Sequence, residues 1–202
     1  MTSSLRLVLA SASSGRLATL RNAGLTPEVV ISGVDEEGVR APSPAALAQL
    51  LATRKCRAVA GRLDVTGPTV VVGCDSVLEL DGEPYGKPGD AETAVARWEQ
   101  MRGRSGVLHS GHCVQVLGDA PAREAAAVGS TVVHFATLSD AEIAAYVATG
   151  EPLQVAGAFT LDGLGGPFVR AIEGDPSNVV GVSLPLLRVL LGQLDVRWPS
   201  LW

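Results

Sequence analysis

The 202-residue sequence predicts an α/β fold built on a mixed β-sheet with flanking helices. Three observations predict it. Strand-like and helix-like segments alternate along the chain, which places helices against a sheet. The run Thr69-Val70-Val71-Val72-Gly73-Cys74 is almost wholly apolar, as a strand covered on both faces requires. Two longer strand-like segments, 107–117 and 123–136, are joined by a Gly118-Asp119-Ala120-Pro121 turn and read as an antiparallel pair.

Taken in order, residues 6–10 form a short apolar strand, and Ser11-Ala12-Ser13-Ser14-Gly15 a small-residue turn. A helix over 15–23 follows, with Leu17 and Leu20 inward and Gly24 as its stop. Residues 29–32 read as a second strand and Val34-Asp35-Glu36-Glu37 as an acidic loop. Ser43-Pro44 opens a long helix to about Ala60, closed by Gly61. Residues 77–80 continue the apolar strand to a tight Asp81-Gly82 turn. Asp90 caps a helix with Ala94, Val95, Trp98 and Met101 on one face. Ser139 and Glu142 form a capping box for a helix ending at Gly150. A glycine-rich stretch at 157–166, a strand at 168–172 and a leucine-rich helix at 184–194 complete the pattern.

Composition narrows the function. With 47% hydrophobic and 18% charged residues, the chain is not disordered, and with 4% aromatics Val, Leu, Ala and Ile are expected to fill the core. A formal charge of −5 argues against a nucleic acid polymer as partner, because backbone binding needs a basic face. A few placed cations could still hold one phosphorylated metabolite. Cys56, Cys74 and Cys113 form no CxxC pair and are expected to be buried, reduced thiols. The first residues lack the basic start and apolar run of a signal peptide, and no segment suits a membrane span. A cytoplasmic location is the expectation. No repeat or linker divides the sequence, so residues 1–202 read as one domain.

Four constellations carry chemistry. The strand–turn–helix at 7–20 offers helix-start amides and the hydroxyls of Ser11 and Ser13, a natural anion site; equally, it is an ordinary serine cap. Arg16 stands in the first helical turn, where a cation opposes the helix dipole, or it faces solvent. Asp75 ends the most apolar strand and could face a crevice, orienting or deprotonating a water or holding Mg²⁺ or Mn²⁺; alternatively it caps a turn. Lys55 lies on the apolar row Leu47, Leu51, Lys55, and Lys87 between Gly86 and Pro88; both could neutralise phosphate oxygens or simply be solvated. Asp35, Glu36 and Glu37 could give one hard-metal ligand opposite Asp75, and Asp162 a base or ribose contact. His109 and His112 form an HxxH without the third ligand zinc needs. Neither a GxSxG elbow nor a GxxxxGK[ST] loop is present.

In order along the chain, these segments resemble the Maf family of nucleoside triphosphate pyrophosphatases. Leu9-Ala10-Ser11-Ala12-Ser13-Ser14-Gly15-Arg16 is similar to its L-A-S-x-S-P-R-R signature, and Lys55 to the lysine of its E-K-A helix. Gly73-Cys74-Asp75-Ser76 resembles its G-A-D-T strand, Gly86-Lys87-Pro88 its K-P loop, and Ser105-Gly106 with His109 its S-G-x-x-H stretch. Glu151-Pro152, Ala156-Gly157-Ala158-Phe159 and Val179-Val180-Gly181 follow suit.

The resemblance implies two lobes around a central cleft, the elongated architecture of inosine-triphosphatase-like proteins. It implies a cytoplasmic homodimer that cleaves a nucleoside triphosphate to the monophosphate and pyrophosphate with a divalent cation. Asp75 matches the proton acceptor of the family, while Ser11, Ser13, Arg16, Lys55 and Lys87 match phosphate-binding positions. Glu36 matches an acidic position assigned, with Asp75, to the metal. Gly15, Ser76 and Asp162 occupy positions linked to substrate choice, but fit neither the pyrimidine nor the 7-methyl-GTP subgroup, so no base preference follows. A nucleotide-binding regulator of septation with little turnover is the alternative.

Overall fold

The computed structural model describes residues 5–118 and 121–202; Asp119 and Ala120 of the expected 118–121 turn lie outside them. The chain runs β1 (Arg6–Leu9), α1 (Ser14–Asn22), β2 (Glu28–Val29), α2 (Pro44–Ala60), β3 (Thr69–Leu80), β4 (Glu83–Tyr85) and α3 (Ala91–Met101). It continues with β5 (Ser105–Leu117), β6 (Arg123–Phe135), α4 (Asp140–Ala148), β7 (Val169–Glu173), α5 (Pro176–Val180) and α6 (Leu184–Gln193). The seven strands form one sheet in the order β2-β1-β3-β5-β6-β7, with β4 also paired to β3. β1 is parallel to β2 and β3, and the remaining pairs are antiparallel, so the sheet is mixed as the sequence predicts.

Local chemistry sets the helix starts. Ser13, Ser43, Asp90, Ser139 and Ser183 each accept a backbone N–H through the side chain, and Ser139 and Glu142 form the full capping box. α5 went unpredicted; Asp175 caps it and Pro176 opens it.

Two strand expectations are corrected. Only Glu28 and Val29 of the second strand are paired, because β1 stops at Leu9 and leaves Ile31 and Ser32 without a partner strand. Asp75 is not at a strand tip: β3 runs on to Leu80, because β5 pairs it continuously from Thr69↔Leu117 to Glu79↔Val107, with Asp75 opposite Gly111. The strand that ends beside Asp75 is β1. Its pairing stops at Val72 and that of β4 begins at Leu78, so the stretch between has an open edge.

Successive residues of β3 face opposite sides of the sheet. On one side α2 lies directly on β3 and β5. It can do so because Gly73 and Gly111 present no Cβ; one built on Gly73 would meet Ala52 O at 2.5 Å and Cys56 Cβ at 2.7 Å. On the other side the core has two parts. One, beneath α1 and α6, is aliphatic: Leu9, Leu20, Val70, Val72, Leu187 and Leu191. The other, beneath α3 and α4, gathers six of the eight aromatic residues around buried Trp98, whose ring meets Phe135 and Tyr146 edge-on at 5.6 and 5.7 Å. The expectation of an aliphatic core thus holds for one of these two parts only. All three cysteines are buried and unpaired, as expected. Among the described residues no helix is long and apolar enough to cross a membrane.

Gly73→Ala should destabilise the chain by about 1–3 kcal/mol, because the added methyl pushes α2 off the sheet. Denaturant unfolding measures this; an unchanged midpoint would contradict the packing described.

Candidate active site

The site forms where β3 loses its neighbour. Asp75 projects toward α2, and Lys55, one turn beyond Ala52 where the helix touches Gly73, reaches it. Lys55 Nζ lies 2.5 Å from Asp75 Oδ1 and 2.6 Å from Glu36 Oε1. One ammonium therefore bridges two carboxylates. Lys55 and Asp75 are buried, whereas the Glu36 side chain is half-exposed on the loop before α2. Of the acidic run, only Glu36 joins the centre; Asp35 accepts the N–H of Glu37 and closes a local turn.

Burial pushes the Asp75 carboxyl above its usual range. Lys55 and Arg16 pull it back by charge and hydrogen bonding, Glu36 adds to the rise, and the balance stays upward. A carboxylate raised in this way is a stronger proton acceptor than a free one.

Arg16 occupies the other side of β3. It neither faces solvent nor simply opposes the dipole: the guanidinium is turned inward and buried. Nε donates to Gly181 O at 2.9 Å, one Nη to Ser11 Oγ and Cys74 O at 2.9 Å each, and the other to Ser76 Oγ at 3.1 Å. Cys74 O belongs to the open edge of β3, so Arg16 supplies a donor that no strand provides. All four acceptors are neutral. No carboxylate hydrogen-bonds the guanidinium among the described residues.

The serines are tied to it. Ser13 Oγ caps α1 through the N–H of Arg16, and Ser11 Oγ accepts from Ser13 N. Ser110 Oγ donates to Asn178 O at 2.9 Å and lies 2.8 Å from Ser76 Oγ; its proton being committed, Ser76 is the donor between them. Gly181, with φ +116°, has to be glycine, since a Cβ would stand 2.9 Å from Arg16 Nε. His112 is held neutral: Nδ1–H donates to Ser110 O, Nε2 accepts Ser183 N–H, and burial lowers its pKa to about 4.

The remaining predicted residues lie around this centre. Gly15 packs against Val180, which also lines a groove of about 400 Å³ with Thr19, Asn22, Asp162 and Ser177. Asp162 is exposed there, away from Asp75, on a loop pinned by Glu151. The carboxylate of Glu151 accepts Leu164 N–H, Gly165 N–H and the hydroxyls of Tyr146 and Thr160. Lys87 is exposed on the loop leaving β4 and makes no hydrogen bond or ion pair among the described residues. The structure thus joins Ser11, Ser13, Arg16, Lys55, Asp75, Ser76 and Glu36, and sets Gly15, Asp162 and Lys87 at the periphery. Sequence reasoning gave no role at this site to Ser110 and His112 of β5 or to Asn178 of α5, because a buried polar residue carries no signal until its partners from distant segments are known.

By donor type, Asp75 and Glu36 fit a hard divalent cation. Their oxygens converge on one point of positive charge, and Mg²⁺ or Mn²⁺ is commonly held by one or two carboxylates with substrate phosphates completing its shell. Among the described residues no three His, Cys, Asp or Glu side chains gather, so a closed zinc site is not built. His109 and His112 point to opposite faces of β5, His109 bonding Glu79 and Ser130.

A buried carboxylate flanked by Lys55 and Arg16 at an open strand edge is an arrangement chemically suited to an anionic ligand. The family model described as Maf-like protein matches residues 6–194, and the chain belongs to that family. A Salinispora tropica protein named nucleoside triphosphate pyrophosphatase is 60% identical over 201 residues, covering 98% of this chain and 88% of that one. Proteins of the same name from Streptomyces coelicolor and Streptomyces avermitilis are 58% and 57% identical over 197 residues, covering 98% of this chain and 94% of each. A solved structure of the Staphylococcus aureus Ham1 protein aligns with a TM-score of 0.40 and 16% identity, over 65% of this chain and 72% of that one.

Lys55→Met should raise the Asp75 pKa further, since it removes the main influence opposing burial. A carboxyl-carbon NMR titration reads this directly; a downward shift would contradict the electrostatic account.

Proposed function

We propose that this chain hydrolyses nucleoside triphosphates to nucleoside monophosphate and pyrophosphate. The carrying observation is Asp75: buried, raised in pKa and bound to Lys55, a cation that can equally pair with phosphate oxygens. The name shared by its relatives supports the reaction class, and the family match spans nearly the whole chain.

The chemistry follows from the residues. An arriving triphosphate competes with the carboxylates for the Lys55 ammonium. Once Lys55 turns to phosphate oxygens, Asp75 is released as a general base for a water molecule. The water oxygen bonds to the α-phosphorus, its proton passes to Asp75, and the bond to the bridging oxygen breaks to release pyrophosphate. Lys55 and Lys87 offset charge on the leaving group, and the α1 amides with the buried Arg16 favour the anion at the open edge. Asp75 and Glu36 would hold Mg²⁺ or Mn²⁺, which supplies further neutralisation of phosphate charge when bound. In this reading the nucleoside occupies the groove lined by Asp162 and Val180, against which Gly15 packs.

In this reading residues 1–202 act as one domain in a cytoplasmic homodimer, clearing non-canonical or excess nucleotides. The test offers purified protein a panel of canonical and modified triphosphates with Mg²⁺ or Mn²⁺ and resolves the products. Pyrophosphate should appear, vanish on chelation of the metal, and fall about 10²–10⁴-fold in Asp75→Asn. Release of phosphate alone would contradict the proposed bond cleavage. Binding without turnover by the wild type would support a nucleotide-binding regulator of septation instead.

A further inference from the structure

We infer that Arg97 is a positioning residue for Lys87: it fixes the backbone from which that lysine reaches the substrate. The inference rests on the reading of Lys87 as a phosphate-binding residue.

Arg97 is chemically out of place as a structural side chain. It is half-buried on α3 and forms no ion pair with any acid among the described residues. A guanidinium withdrawn from water without a carboxylate is costly unless its donors are used. Burial accordingly lowers its pKa, against weaker support from Tyr85 and Asp90. Its guanidinium carbon lies 5.5 Å from the centre of the Tyr85 ring, and Nη1 donates to Gly86 O at 2.5 Å. Gly86 is the residue immediately before Lys87.

The same carbonyl accepts a second hydrogen bond, from Gly157 N at 3.1 Å. The next residue of α3, Trp98, donates Nε1–H to Ala158 O at 2.8 Å. Two consecutive side chains of one helix thus hold two loops that meet at Gly86: the Gly86-Lys87-Pro88 loop and the Ala156-Gly157-Ala158 turn. Gly157 closes the junction; with φ +72° it packs so near that a Cβ would stand 2.8 Å from Leu78 Cβ. Pro88 is buried, and Gly89 N–H donates to Leu153 O. The backbone on both sides of Lys87 is therefore fixed, while its side chain is exposed and uncommitted.

The direction is right for the site. β4 runs antiparallel to β3 from Leu80 to Leu78, so the chain leaving Tyr85 heads back toward the open edge beside Asp75. A lysine on a flexible loop would lose backbone freedom on every binding event; one on a fixed loop loses only side-chain freedom. Arg97 removes the larger cost in advance.

The test is a mutant cycle on steady-state pyrophosphate release, with nucleoside triphosphate and Mg²⁺, using Arg97→Gln, Arg97→Lys, Lys87→Gln and the Arg97→Gln/Lys87→Gln pair. Lys87→Gln should lower kcat/KM by about tenfold or more, the scale of a lost charged phosphate contact. Arg97→Gln should lower it severalfold in the wild type but by less than about twofold when Lys87 is already Gln, since coupled residues are not additive. Arg97→Lys, which retains a donor, should recover part of the loss, and the acidic limb of the pH–rate profile should stay in place. Equal losses from Arg97→Gln in both backgrounds, with Lys87→Gln costly, would overturn the inference and leave the Lys87 reading standing. A silent Lys87→Gln would overturn that reading and the inference with it. Thermal unfolding of Arg97→Lys, expected to match wild type, guards against a folding defect.

Discussion

The interaction on which the structure depends is the confinement of one carboxylate, Asp75, in the middle of a sheet between two cations. A buried carboxylate is unfavourable unless charge and hydrogen bonds answer it. Lys55 answers from the α2 face and Arg16 from the opposite face, across the open edge of β3. Much of the fold exists to deliver these two side chains. Gly73 and Gly111 let α2 rest on the strands closely enough for Lys55 to reach. The short β1 exposes the edge, and the tight turn at Gly181 gives Arg16 a carbonyl in place of an acid.

Solving the problem in this way leaves the site biased toward an anion. Arg16 is hydrogen-bonded to neutral acceptors only and acts on Asp75 by charge across the strand rather than in a direct ion pair. Lys55 is shared by two carboxylates that are also suitable metal ligands. A phosphate with its cation would replace one set of opposite charges by another rather than enter a neutral cavity. The alternation of β3 places the Asp75 carboxylate on one face and the Ser76–Ser110 hydroxyls on the other. The two are joined only at the edge where β1 has ended.

The sequence carried most of the fold, and for physical reasons. Caps such as Ser43-Pro44 and Ser139-x-x-Glu142 act within four residues, so they are readable locally. The apolar run before Asp75 revealed a strand covered on both faces, and residues 77–80 its continuation to Leu80, but not that Asp75 lies inside the ladder rather than at a tip, because that depends on β5 pairing through it. The site was legible as residue types in order: Ser11, Arg16, Lys55 and Asp75 do come together. Their roles were not. That Arg16 turns inward requires Gly181 and Cys74 carbonyls from distant segments, and that Glu36 rather than Asp35 meets Lys55 is set by one loop. Arg97 looked like any helical arginine, since its partner is a backbone carbonyl with no sequence signature.

The most direct test of the central claim is the unfolding free energy of wild type and Asp75→Asn, measured side by side across pH without ligand. Asp75 has its folded pKa raised above the ordinary value of 3.8, so between those values the native chain holds more protons than the unfolded one. The wild type should therefore lose stability relative to Asp75→Asn as pH rises through that window, and the difference should level off above it. The contribution of His112 is common to both proteins and cancels. A difference that stayed constant, or moved in favour of the wild type with rising pH, would show that Asp75 is not held ionised against its burial, and the account of the site would fail.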